Sequence, residues 1–299
     1  MTTIVIPAHN ENLVIGRLLK QLAPTGPVPG LEIIVVANGC TDNTAEIARS
    51  FGQSVRVICL PTASKHFAML AGDRAATSFP RIYVDADVEL RLADVLVLEA
   101  ELRKPGVLAA APTRVLPLDD CPRLVRCYYD IWSRLPQVRE GLFARGAVAV
   151  NEAGHRRLAS LPPLMADDLA ASLSFSPAER RIAADAQVIY HPPLRFADLL
   201  RRRIRAVTGT TQIERSGQAP PSTERTRPAD LMAVLRDQPA AAPRLAVFAA
   251  VTIIARLAAR RAIARGDYTT WLRDESSRRG AASAWRAADV PAGHGRRSR

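Results

Sequence analysis

The first apolar run of the chain, "TIVIP" (3–7), reads as a strand. After a polar turn, apolar residues recur at Val14, Ile15, Leu18, Leu19 and Leu22, the 3.6-residue period of one helix face across residues 12–22. The alternation continues. "EIIVVA" (32–37), "VRVICL" (55–60), "RIYV" (81–84) and "VLAAA" (107–111) read as strands, and 44–51, 64–77 and 92–102 as helices, with Ser64 placed to cap the third of these. Unbroken apolar strands separated by amphipathic helices predict a mostly parallel central sheet with helices on its faces, an α/β fold. Such sheets bind ligands beyond the carboxyl ends of their strands. Three polar turns therefore belong on one edge: Ala8 to Glu11, Asn38 to Asp42, and Asp85 with Asp87.

From 112 to 190 the pattern is mixed, with a strand expected at "ARGAVAV" (144–150) and a helix opening at "DDLAASLSF" (167–175). A mobile loop is expected at 214–229, helices at 229–237 and 243–265, and a disordered tail rich in Gly, Ser and Arg from Ser276. The domain expectation is 1–210 as the main α/β unit, in two halves, 1–111 and 112–210. A helical extension (211–275) and the tail (276–299) would follow. The stretch "LAVFAAVTIIA" (245–255) is too short to span a bilayer, and with Arg256, Arg260 and Arg261 beside it suits a buried or an interfacial helix.

With 48% hydrophobic residues in 299, a large core is available. The net charge of +12 is uneven: residues 1–190 carry 20 basic and 20 acidic residues, and 191–299 carry 21 and 9. A basic last third suggests an anionic partner, such as a membrane surface, phosphate groups or nucleic acid, or else arginine-solvated helices. Cys40, Cys59, Cys121 and Cys127 lack zinc-ligand spacing and suit reduced thiols. No leader sequence precedes the first strand, so the expected location is cytoplasmic, with peripheral contact at the inner face of the cell membrane.

The first turn, "PAHNEN", has no glycine, and no loop ends in Gly-Lys-Ser/Thr, which excludes the two common glycine cradles for phosphate. A diphosphate held at this edge needs another counter-ion. A magnesium or manganese ion on Asp85 and Asp87 would supply it, since hard cations take few carboxylates plus substrate oxygens. A solvated turn is the alternative for that pair.

Taken together and in order, "IVIPAHNE", "IIVVANGCTDNTAEIA", "KHFAMLAG", "YVDADV" and "ADDL" resemble the family 2 glycosyltransferases of the GT-A fold, over roughly residues 2–210. The resemblance implies an inverting, metal-dependent, hexosyltransferase-type enzyme that moves one sugar from a nucleotide-sugar donor, a UDP-sugar first of all, to an unidentified acceptor, lipid-linked or small. It implies a nucleoside site at Pro7, Ala8, Asn10, Glu11 and Asn38, with Asn38 where the family usually has a base-reading aspartate and Ala37 where a second is common. Lys65 would lie near the nucleotide, Asp85 at the ribose or metal, and Asp87 on the metal. Asp168, beside Asp167, aligns with the catalytic base, and a helix N-terminus that favours acidic residues is the plainer account of that pair. Asp42 suits a helix cap. Arg202 and Arg205 would meet the diphosphate or an anionic acceptor. The tryptophan that helps processive family members hold a growing chain is Ala206 here, which favours single-sugar transfer. His191 could complete the metal site or be structural. Two other classes fit less well: a sugar nucleotidyltransferase, which wants a glycine-rich first turn, and a catalytically degenerate protein that binds membrane or other anions. No nucleic-acid partner is expected.

Overall fold

The computed structural model describes residues 1–161, 167–215 and 226–264. Its first half alternates strand and helix: β1 (Thr2–Ala8), α1 (Ile15–Leu22), β2 (Leu31–Asn38), α2 (Thr44–Arg49), β3 (Arg56–Leu60), α3 (Lys65–Ala75) and β4 (Arg81–Val84). Helix α1 starts later than its apolar period suggests, because the Glu11 carbonyl first closes a turn on the amides of Val14 and Ile15. The four strands pair in parallel in the order β3-β2-β1-β4, with Val5 beside both Ile34 and Tyr83. Parallel pairing in this register brings all four carboxyl ends to one edge.

The second half runs β5 (Glu89–Leu90), α4 (Leu92–Leu102), β6 (Ala109–Val115), α5 (Arg123–Trp132), α6 (Pro136–Glu140), β7 (Ala147–Val150), α7 (Glu152–Ala159), α8 (Asp167–Leu173), β8 (Arg180–Ile189), α9 (Phe196–Arg215), α10 (Pro228–Asp237) and α11 (Ala242–Ala264). The sheet continues from β4 as β7-β6-β8-β5. Strand β7 is antiparallel to β4 and β6, β6 is parallel to β8, and β5 is antiparallel to β8. The whole is a mostly parallel α/β sheet flanked by helices, as its pattern predicts. The strand expected at 107–111 runs further, to Val115, and its register against β8 shifts between Pro112 and Thr113. Proline lacks the N–H that an unbroken ladder needs. The strand expected at 144–150 starts only at Ala147, because Ala144 and Gly146 take positive φ values of 50° and 70° and form a turn instead.

One core lies between the sheet and the α1–α4 side, built from Ile4, Ile6, Leu18, Leu19, Ile82 and Leu98 among others. On the other face α3 presses Ala68 against Ile34 and Val36. Gly72 lies so close to β1 that a Cβ there would stand 2.3 Å from Val5 Cγ1. A separate helical core joins α5, α9 and α11 through Tyr128, Trp132, Leu199, Phe248 and Val251. Tyr128 stacks on Phe248 at 5.1 Å and meets Tyr129 edge-on at 5.4 Å, a favourable arrangement of aromatic quadrupoles. Residue 210 falls inside α9, which continues to Arg215. Residues 216–225 of the loop expected at 214–229, and the tail from Ser276, lie outside the described residues.

Candidate active site

The strand ends open into a cleft of about 1570 Å³. Of the residues singled out in the sequence, Pro7, Glu11, Asn38, Lys65, Asp85, Asp87, Asp168, Arg202 and Arg205 line it together. Ala8 and Asn10 are not on its wall. Ala8 is buried, and its carbonyl accepts the Asn38 side-chain amide at 2.9 Å. Asn10, in the left-handed region at φ 52°, accepts the Thr41 amide at 2.8 Å and donates to Thr41 Oγ1 at 3.2 Å, tying the first polar turn to the second. Asp167 is the first residue of α8, and its side chain lies outside those described.

Asn38 is the bracket of the nucleoside side. Its amide nitrogen donates to the carbonyls of Ala8 and Val36, and its oxygen accepts the Ser64 amide at 3.0 Å. Buried at 3% exposure, it holds the ends of β1 and β2 and the start of α3 together, so little of its capacity is left for a base edge. Ser64 in turn caps α3, its Oγ accepting the Phe67 amide at 3.3 Å. Asp42 accepts the Thr44 amide at 3.0 Å and so braces the turn before α2, whose cap position is Asn43 rather than the Asp42 expected.

The opening of α3 brings Lys65 to 3.0 Å from the Asp85 carboxylate. The amide of Asp85 donates to the Gly146 carbonyl at 2.8 Å, and the carbonyl of Asp87 accepts from Arg17 at 3.3 Å, so both main-chain positions are anchored while both side chains face the cleft. Behind this turn Glu89 gathers Arg17, Gln21 and His191 at 3.4, 2.8 and 2.7 Å. Burial works to raise the Glu89 carboxyl, but the hydrogen bond of His191, the charge of Arg17 and the amide of Gln21 outweigh it and hold it below the usual carboxylate range. His191 is thus turned to Glu89.

Opposite stands the 141–146 turn with the start of α8. Asp168 accepts the amides of Ala144 and Leu169, each at 2.8 Å. Arg114 donates to the carbonyls of Ala144 and Phe143 at 2.7 and 3.1 Å and lies 4.5 Å from the centre of the Trp132 ring. Arg145, at 3% exposure, donates to the carbonyls of Gly141, Pro112, Val138 and Arg139. Burial pushes these guanidinium groups down to about 10 and about 9. Sequence reasoning missed Arg114, Arg145, Gly146 and Tyr190. The glycine alone carries a signal, since "ARG" interrupts an otherwise apolar run and a glycine there often marks a turn. Arg202 closes the third side, donating to the His191 carbonyl at 3.2 Å with its guanidinium 4.8 Å above the Tyr190 ring. Burial pushes the Tyr190 phenol up to about 12.

Residues 3–159, more than half of the chain, match the family model described as glycosyl transferase family 2. The chain belongs to this family. Over 121 residues it is 34% identical to 4,4'-diaponeurosporenoate glycosyltransferase of Staphylococcus aureus (strain USA300), covering 38% of this chain and 32% of that protein. The chain thus spans about a third of the length of the curated relatives it matches. Among solved structures it is similar to the mannosyltransferase PcManGT from Pyrobaculum calidifontis, in complex with GDP-Man and Mn2+, with 20% identity and a TM-score of 0.57 over 97% of this chain and 88% of that one. It is also similar to glucosyl-3-phosphoglycerate synthase from Mycobacterium tuberculosis, in complex with Mn2+, UDP and glucosyl-3-phosphoglycerate, with 22% identity and a TM-score of 0.52 over 74% of this chain and 81% of that one. These likenesses show the fold, the GT-A arrangement.

Proposed function

We propose that the chain transfers a single sugar from a nucleotide-sugar donor to an acceptor hydroxyl with inversion at the anomeric carbon. The observation that carries this is the gathering of Asp85, Asp87 and Asp168 on the walls of one cleft at the carboxyl edge of the sheet. The nucleoside would lie along Pro7, Glu11 and the Asn38 bracket, with uridine the first base to try. Ala8 and Asn10 would shape that wall from behind.

The donor set suits a hard divalent ion. Among the described residues no three His, Cys, Asp or Glu side chains form a metal cage. Two carboxylates on a cleft wall are what magnesium or manganese requires when diphosphate oxygens complete the shell. Bound at Asp85 and Asp87, such an ion would offset the charge growing on the departing diphosphate. Lys65 would add its charge on the same side, and Arg202 and Arg205 would face the diphosphate or an anionic part of the acceptor.

Asp168 would take the proton of the acceptor hydroxyl as it attacks the anomeric carbon from the face opposite the leaving group. Its bonds to the Ala144 and Leu169 amides fix its position, and Arg114 holds the turn that supplies the first of them. One displacement inverts the configuration. Ala206, on the cleft wall, stands where the resemblance puts the tryptophan that helps processive members hold a growing chain, which favours single-sugar transfer.

The test is calorimetry of UDP, GDP and their sugar conjugates with and without manganese, on the wild type and Asp87→Ala. We expect one nucleotide sugar to bind only with the metal, and Asp87→Ala to weaken it at least about a hundredfold, as for loss of a charged ligand contact. Tight binding that ignores both the metal and Asp87 would overturn the metal role. No binding of any nucleotide sugar to the folded protein would overturn the donor class.

A further inference from the structure

Helix α11 has three distinct faces. Phe248, Val251, Ala255 and Ala259 recur every three or four residues and are buried, Phe248 and Val251 in the helical core shared with α5 and α9. At about 100° per residue, Ala246, Ala250, Ile253, Ile254 and Leu257 fall on the opposite side. All five are exposed, with Ile253, Ile254 and Leu257 at 56%, 47% and 54%. Between these faces runs an edge of Thr252, Arg256, Arg260 and Ile263, and this edge lines the catalytic cleft. One helix therefore connects an outward aliphatic stripe to the wall of the site.

Three adjacent, half-exposed aliphatic side chains are costly in water and suit a partner that buries them. The stretch Pro239–Arg261 has a mean hydropathy of 1.6 over its most apolar 18 residues, with 22% of that window buried. Its buried face is committed to α5 and α9, so α11 cannot cross a bilayer without dismantling the helical core. It can lie along one. Charge decides the kind of surface. Arg260 and Arg261 end the stripe, Arg256 flanks it, and the whole excess of +12 resides in residues 191–299. An apolar stripe rimmed by arginine is the pattern of an interfacial helix on anionic lipid.

We propose that α11 seats its Ile253, Ile254 and Leu257 face in an anionic bilayer surface, so that the Arg256 and Arg260 edge holds the cleft mouth at the headgroups. The acceptor is then an amphipathic molecule presented from the bilayer. That last step rests on the transferase function proposed above; the docking itself does not.

The experiment is co-sedimentation of the full chain with phosphatidylcholine vesicles, with and without phosphatidylglycerol, alongside calorimetry of the donor in lipid-free solution. Wild type should sediment with the phosphatidylglycerol vesicles and less so as salt rises. Substituting Ile253→Ser, Ile254→Ser and Leu257→Ser together should weaken this at least about tenfold. Arg261→Gln should weaken it only on the anionic vesicles. Neither variant should alter donor binding, because none of these four residues lines the cleft. If the triple variant melts early, Ile254→Asp alone, which sets a like charge against the lipid, should still reduce sedimentation. Wild type that ignores both vesicles, or a triple variant that sediments like wild type, overturns the docking and leaves the transferase proposal standing. Sedimentation without binding of any nucleotide sugar does the reverse. A wild type that dimerises through the stripe and sheds vesicles on doing so makes this face an interface between copies and also overturns the proposal.

Discussion

Asp168 separates chemistry from binding at the level of one side chain. It lines the cleft and is held by two backbone amides, apart from the Asp85 and Asp87 pair on the wall opposite. Asp168→Asn keeps the shape and removes the proton acceptor. The turnover number should fall about 10²- to 10⁴-fold while the donor dissociation constant stays within a factor of about two, measured by steady-state kinetics and calorimetry. A loss confined to KM would assign Asp168 to acceptor binding instead. Gly146 makes the complementary case. A Cβ there would stand 2.3 Å from Val88 Cγ1 and 3.6 Å from an Asp85 carboxylate oxygen, at a φ of 70°. Gly146→Ala should push on the turn that carries both aspartates, raising the manganese needed for half-maximal donor binding several-fold. Unchanged metal dependence would show that the turn tolerates the push.

At the scale of elements, α3 shows what the sequence pattern can and cannot say. Its start was legible, because Ser64 precedes an apolar-spaced run and does cap it. The reason for small residues at Ala68 and Gly72 is visible only in the packing: Ala68 is fully buried and Gly72 lies against β1. Gly72→Ala gains helix propensity of up to about 1 kcal/mol and forces Val5 aside at an overpacking cost of about 1–3 kcal/mol. A net destabilisation of about 1–2 kcal/mol is expected in urea unfolding, and Val5→Ala in the same chain should recover part of it. The four parallel strands were legible because each is an unbroken apolar run. Strand β8 was not, since its burial alternates irregularly and Arg180, Arg181 and Asp185 break the run. The 144–146 turn was hidden because alanine ordinarily avoids positive φ, and the bonds from Arg114 and to Asp168 brace Ala144 there. Asn38 shows the same limit at the site: it lines the cleft, but that its side chain is engaged by backbone depends on three segments meeting, which no local pattern records.

For the whole molecule, buried polar clusters set the response to acid. Tyr83, on β4, joins α3 to α7. Arginine only donates, so Arg81 gives a proton to His155 Nε2 at 3.1 Å, His155 Nδ1 gives one to the Tyr83 oxygen at 2.9 Å, and the Tyr83 hydroxyl donates to Asp73 at 2.8 Å. This chain requires a neutral imidazole, and burial, aided by the charge of Arg81 and opposed by that of Asp73, holds His155 below its ordinary 6.5. A base with a lowered folded value stabilises the fold above its unfolded value, and that contribution is lost as pH falls below about 6.5. Glu89, held below its ordinary 4.5, stabilises above that value and loses its contribution as pH falls further. Unfolding free energy from urea titrations should therefore be level between about pH 7 and 8, decline first as pH falls below about 6.5, and decline again below about 4.5. His155→Gln should lower the plateau and flatten the first decline while leaving the second, and Glu89→Gln should lower the plateau and reduce the second, which Asp94, Asp130 and Glu179 also feed, while leaving the first. A single decline confined to the carboxylate range in the wild type would mean that His155 titrates alike in the folded and unfolded chain. The seam between β4, α3 and α7 would then tolerate a charged imidazole.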